Sequence, residues 1–147
     1  MNIYIRGPLA FETAERLYGE NREFLEDRFA GFFLKQFERI RDDVCLSCSP
    51  EQYEYAAEIS EGGIFRALWE MGDKLGCGLE AGLDLIPVRQ EVVEILELFN
   101  ESPYECASKG SWLIVSDKDY RSFSGSLELT WIGRTCDSRA RMIIEGD

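Results

Sequence analysis

The clearest hydrophobic pattern in the chain lies between Gly62 and Gly76. Ile64, Leu68, Met71 and Leu75 recur at steps of four, three and four, with Ala67 beside them. That spacing predicts a helix packed along one side. Gly76 falls where a left-handed C-terminal cap belongs. At the other end, Gly62-Gly63 opens the helix without side chains, so its first N–H groups and the positive end of its dipole face an approaching anion.

The rest of the chain is read the same way. Asn2 to Arg6 reads as a strand ending at Gly7-Pro8, followed by a helix from Pro8 to Tyr18 closed by Gly19. Asn21 is placed to cap a second helix, along which Leu25, Phe29, Phe32, Phe33, Phe37 and Ile40 form an apolar stripe expected in the core. Val44 to Ser47 reads as a short strand. Ser49-Pro50-Glu51-Gln52 has the form of a capping box and predicts a helix to about Glu58. Leu79 to Leu83 reads as a short strand, and Asp84 to Val88 as extended because of Pro87. A helix from Arg89 to Phe99 is expected to bury Val92, Leu96 and Phe99, and Ser102-Pro103 starts a single turn. Ser111 to Val115 is an apolar run expected to be buried on both faces. Leu127 to Ile132 and Arg141 to Ile144 complete the strands. No repeat or linker divides the 147 residues, so one domain is expected.

Composition narrows the classes of function. Asp and Glu number 28 against 16 Lys and Arg, a formal charge of −12. Phosphate-backbone binding rests on Lys and Arg, so no nucleic-acid partner is expected. No apolar run or basic amphipathic stretch points to a membrane. The first residues lack the features of a signal peptide, which makes the cytoplasm the expected location. Cys45, Cys48, Cys77, Cys106 and Cys136 are odd in number and irregular in spacing, which suits buried thiols in a reducing compartment. With no histidine and no second Cys-x-x-Cys, Cys45-Leu-Ser-Cys48 lacks the partners of a zinc site, and no metal is expected. Histidine-based triads are excluded as well.

Three segments together resemble the C-terminal domain of aminoimidazole ribonucleotide (AIR) synthase-related proteins. Glu58-Ile-Ser-Glu-Gly-Gly-Ile-Phe-Arg-Ala-Leu-Trp-Glu70 resembles that family's acid-x-Thr-x-Gly-Gly-x-x-x-Ala-Leu-x-Glu pattern. Ile86-Pro-Val-Arg-Gln-Glu-Val-Val-Glu-Ile-Leu-Glu-Leu-Phe99 resembles its Ile-Pro-Val segment, and Ser108-Lys-Gly-Ser-Trp-Leu-Ile-Val115 its Ser-x-Gly-Ser strand. The motifs keep the family's order and approximate spacing over nearly the whole chain. They are most similar to the hydrogenase-maturation branch, the ATP-dependent carbamoyl dehydratases. The resemblance implies an α+β fold: a mixed or mainly antiparallel sheet of about four to six strands with helices packed on it. In one respect the chain departs from the family. Only Ser116 to Ser126 separates the last long strands, so the usual crossover helix is expected to be shortened or lost. Sheet surface near Trp131 must then be polar, shielded elsewhere or covered by another chain.

The candidate site follows from these segments. The resemblance puts Glu58 where the family usually carries Asp. Ser60, Gly62 and Gly63 offer a hydroxyl and two backbone donors at the helix start. Ser108, Lys109, Gly110 and Ser111 form a second small-residue turn, to which Lys109 brings positive charge. The plain alternatives are a close-packed helix cap for the first group and a solvated turn for the second. In the family, the ATP-binding glycines, metal-binding aspartates and main dimerisation sheet belong to a preceding domain, and a C-terminal cysteine tail carries the reacting group. These 147 residues show no counterpart of either. The resemblance therefore implies a module that is not catalytic alone and needs no cofactor of its own. It would act as a homo-oligomer or with a separate ATP-binding chain. Alternatively, it contributes residues to an ATP-dependent site shared with a partner, or binds a small anionic metabolite as a regulator.

Overall fold

The computed structural model describes residues 1–48, 50–122 and 129–144. Six strands form one sheet in the order β2-β4-β1-β5-β3-β6. They are β1 (Asn2–Arg6), β2 (Tyr55–Glu58), β3 (Gly78–Gly82), β4 (Trp112–Ser116), β5 (Leu129–Cys136) and β6 (Arg141–Ile144). Every pairing is antiparallel except β3 with β6. The helices are α1 (Phe11–Glu20), α2 (Arg22–Arg28), α3 (Gly31–Arg39), α4 (Gly63–Leu75) and α5 (Gln90–Leu98). This is the expected α+β class, with the sheet at the upper end of the expected size.

All five helices contribute to a single core against one face of the sheet. Ile3, Ile5, Leu79, Ala81, Leu113, Val115 and Ile132 point into it. From α4 come Ile64, Ala67, Leu68 and Met71, as its period requires, and from α5 Val92, Ile95 and Leu96. Gly76 ends α4 in the left-handed conformation, φ 64°.

The opposite face carries a smaller cluster. Tyr4 and Ile114 meet Cys48 and Tyr53, with Trp112, Tyr120 and Leu129 packed around them. Both faces of β4 are therefore buried, as its continuous apolar run predicts. The Tyr4 hydroxyl donates to the Lys118 carbonyl at 3.0 Å and accepts from the Tyr120 N–H at 2.9 Å. Burial pushes the Cys48 thiol above its ordinary pKa, with Cys45 nearby adding to the shift. Among the described residues of the crossover there is one 3-10 turn, Tyr120–Ser122, where a shortened helix or none is expected. Phe123 of that expected helix, and Leu127 and Glu128 of the expected last long strand, lie outside the described residues. Trp131 is half-buried and shielded by arginines, with Arg121 4.8 Å and Arg134 5.7 Å from its ring centroid.

Several elements differ from expectation. Residues 50–58 form a 3-10 turn and strand β2, not a helix, because pairing with the apolar β4 outweighs the helical preference of Ala and Glu. Ser49, of the supposed capping box, lies outside the described residues. Helix α1 starts at Phe11 and runs through Gly19, since Pro8 to Ala10 are spent on a turn in which Ala10 is left-handed, φ 64°. Asn21 does sit between α1 and α2, but its side chain donates back to the Leu17 carbonyl. The aromatic stripe is split by extended backbone at Phe29 and Ala30, which leaves Phe32 72% exposed. Gly31, a poor helix former, lowers the cost of that break. Val44 to Ser47 does not join the sheet. Among the described residues no helix is long and apolar enough to cross a membrane.

Candidate functional site

Antiparallel pairing of β2 with β4 sets Glu58 opposite Trp112. The end of β2 therefore lies beside the turn that feeds β4, and two segments about fifty residues apart meet. The Ile59 N–H donates to the Ser111 carbonyl at 2.8 Å. The Glu58 carboxylate accepts the Gly110 N–H at 3.2 Å. Thus the structure brings together the two groups singled out in the sequence, at one end of the sheet.

Within the second group the residues have different surroundings. Ser108 and Ser111 are fully buried. The Ser111 hydroxyl donates to the Pro8 carbonyl at 2.7 Å, and the Ser108 hydroxyl donates to Ser111 Oγ at 3.1 Å. Ser108 Oγ also accepts the Ala10 N–H at 2.6 Å, which anchors the left-handed Ala10. These hydroxyls tie the turn after β1 to the turn before β4. Gly110, φ 99°, lies so close to Gly7 that a side chain on Gly7 would overlap the Gly110 carbonyl oxygen. Lys109 is exposed at the tip.

In the first group, Gly62 and Gly63 are both left-handed, with φ 87° and 67°. A side chain on Gly63 would overlap the Tyr104 carbonyl oxygen. The single turn begun by Ser102 lies over this helix end. Its Tyr104 carbonyl accepts the Phe65 N–H at 3.3 Å, and the Phe65 and Tyr104 rings stack at 5.5 Å. The Gly63 N–H donates to the Ser60 carbonyl at 3.1 Å. Two of the donors at this helix start, the Gly63 and Phe65 N–H groups, thus meet carbonyls of the chain itself. Ser60 is exposed and Glu58 half-buried.

A cleft of about 260 Å³ opens beside Glu58, Lys109 and Gly110, walled by Glu12, Glu15 and Arg41. Glu12 Oε1 accepts the Lys109 N–H at 2.8 Å, and Arg41 pairs with Glu15 at 2.6 Å. Carboxylates of Glu12 and Glu58 therefore take up two successive backbone donors of the 108–111 turn. A bound anion would have to displace them. A ligand offering hydrogen-bond donors or a positive group fits the three carboxylates better, with Lys109 left to meet a single acceptor. Glu12, Glu15 and Arg41 were not distinguishable in so acidic a sequence, because only folding carries α1 and the turn after α3 to this end. A second cleft of about 390 Å³ brings Pro87, Val88 and Arg89 beside Gly7 and Pro8, and Arg89 pairs with Asp43 at 2.7 Å.

No protein-family model matches the sequence. No curated protein matches it either. Solved structures do match in fold. The E. coli hydrogenase maturation protein HypE superposes with a TM-score of 0.65 at 17% identity, over 97% of this chain and 45% of that one. Thiamine-monophosphate kinase from Stenotrophomonas maltophilia K279a superposes with a TM-score of 0.67 at 16% identity, over 97% and 49%. A HypE–HypF complex structure also matches, with a TM-score of 0.51 at 21% identity over 62% of this chain. HypE and the kinase belong to the AIR synthase-related superfamily. The chain spans about half the length of HypE and of the kinase, and at these identities what it shares with them is the fold.

Proposed function

We propose that this chain is the C-terminal-type half of an AIR synthase-related assembly, a binding or accessory module that does not turn over a substrate alone. A second polypeptide, either another copy or a separate ATP-binding half, completes its site. The observation that carries this reading is the extent of the match: nearly all of this chain corresponds to under half of HypE. The chemistry at the sheet end agrees. Glu58 and Lys109 line a cleft there, Ser60 is exposed two residues beyond Glu58, and the buried Ser108 and Ser111 hold the turn that carries Lys109. HypE is seen in complex with HypF, which supports a protein partner as the completing element. Five free thiols fit a reducing compartment such as the cytoplasm.

The test is calorimetry and an ATPase assay on the chain alone, with and without magnesium. The expected outcome is neither binding nor hydrolysis of ATP. Turnover by the isolated chain would overturn the reading in favour of an enzyme proper, and Glu58→Gln should then abolish it. A thermal-shift series with inorganic phosphate addresses the regulatory alternative. A ligand at 100 times its dissociation constant stabilises by ~2.7 kcal/mol, and with the turn amides already held by Glu12 and Glu58 we expect no such shift.

A further inference from the structure

Lys109 and Gly110 present successive backbone N–H groups in the 108–111 turn, with Gly110 left-handed, φ 99°. Successive N–H groups around a left-handed residue form a concavity that favours an anion. Here two carboxylates of the chain itself fill it. Glu12 Oε1, from the first turn of α1, accepts the Lys109 N–H at 2.8 Å. Glu58 Oε2, from the end of β2, accepts the Gly110 N–H at 3.2 Å. Among the described residues neither carboxylate makes another hydrogen bond or ion pair, so each uses one oxygen on the turn. The exposed Lys109 ammonium lines the same cleft and makes no ion pair among the described residues. The turn does not need these carboxylates for its shape. Its buried hydroxyls, Ser108 and Ser111, fasten it to Pro8 and Ala10, and the Ser111 N–H donates to the neutral Ser108 carbonyl at 3.1 Å. Charged acceptors meet only the two donors that border the cleft.

We propose that Glu12 and Glu58 are an autoinhibitory pair: they hold the Lys109 and Gly110 amides in place of the oxyanion of a ligand, a phosphate or carboxylate that the bare turn binds. One oxyanion offers both acceptor oxygens from a single group and meets the Lys109 ammonium as well. Replacing two carboxylates by one group also lets two like charges part within a chain of −12. Release requires a positive group that draws the carboxylates away. In the reading above, the completing polypeptide brings that group, so the inference deepens that reading and rests on this cleft being its binding site. The anion is then held in the assembled state, and the lone chain stays closed.

Amide NMR of the full chain with inorganic phosphate, at constant ionic strength, tests it. In the wild type the Lys109 and Gly110 resonances should stay unmoved. In Glu12→Ala/Glu58→Ala they should shift saturably, with phosphate bound at least about ten-fold more tightly than by the wild type. Lys109→Ala added to that variant should weaken the binding again. Glu12→Ala alone frees the Lys109 N–H and should give the same shift there at lower affinity, which keeps the test open if the double variant fails to fold. Unmoved turn amides in the folded variants would overturn the proposal. So would a wild type that binds as tightly as they do, or shifts confined to other cationic sites. The two ideas fail separately. ATP turnover by the lone chain would overturn the function proposed above and leave these shifts unchanged, whereas a phosphate-blind variant removes the autoinhibition alone.

Discussion

The two halves of the sheet are built to different standards. In β2-β4-β1, β4 and the middle of β1 are enclosed: Leu113, Val115, Ile3 and Ile5 face the helices, while Ile114 and Tyr4 face the second cluster. In β3 and β6, Leu79 and Ala81 are buried toward the helices, but Glu80, Met142 and Ile144 are exposed on the other side. The strand sequences already contain this contrast. Trp112-Leu-Ile-Val115 is a continuous apolar run, whereas Gly78-Leu-Glu-Ala-Gly82 alternates. Strands covered on one face tolerate that alternation, and strands covered on both do not. A sheet can therefore be covered on both faces at one end and on one face at the other.

The sharpest way to break this comparison is to truncate matching isoleucines. Ile114→Ala removes a fully buried side chain from the enclosed half and should cost about 2–5 kcal/mol in urea denaturation. Ile144→Ala, measured as monomer, should stay within about 0.5–1 kcal/mol. Equal losses would show that the open half is as closed as the other. Next in size is Tyr4→Phe, which removes the hydroxyl that bridges the Tyr120 N–H and the Lys118 carbonyl and should cost about 0.5–1.5 kcal/mol.

The smallest effect is the pH dependence that the enclosed half contributes, alongside the buried Cys106 thiol on the helix side, which burial raises as well. Burial raises the Cys48 pKa in the folded state, so above the ordinary thiol range, about 8.5, the folded chain holds a proton that the unfolded chain has lost. Stability that is complete below that range is therefore lost as pH rises through the folded value. Tyr53 in the same cluster is raised by burial as well and extends the decline further. Cys48→Ala should flatten the early part of the decline when unfolding free energy is followed from pH 7 to 10. An unchanged slope would mean that Cys48 is not enclosed as described.

The elements whose own side chains set their burial could be read from the chain. Helix α4 shows its core face at three- and four-residue steps and its end at Gly76, β4 its apolar run, and α5 its buried Val92 and Leu96. Where the decisive partner lies far away, the reading failed. Tyr55–Glu58 has a helical composition and becomes a strand because β4 offers an unpaired edge. Phe32 fits the stripe and is exposed because the backbone opens at Phe29. At the candidate site, the motifs singled out Glu58 and the 108–111 turn as two separate groups, and only the pairing of β2 with β4 makes them neighbours. The motifs gave no sign that Ser108 and Ser111 would be consumed by the turn after β1, or that Glu12 would fill the donor beside Lys109.

By itself, then, the sequence determined the period of α4 and α5 and the two-sided burial of β4, because each depends on spacing within a few residues. The α+β class and the short crossover were expected from the family resemblance of its motifs. Only the tertiary structure decided which strand borders which, what shields Trp131, and which groups hold the turn amides. Those outcomes depend on hydrogen bonds and contacts between segments tens of residues apart, and their strength is set by register and distance.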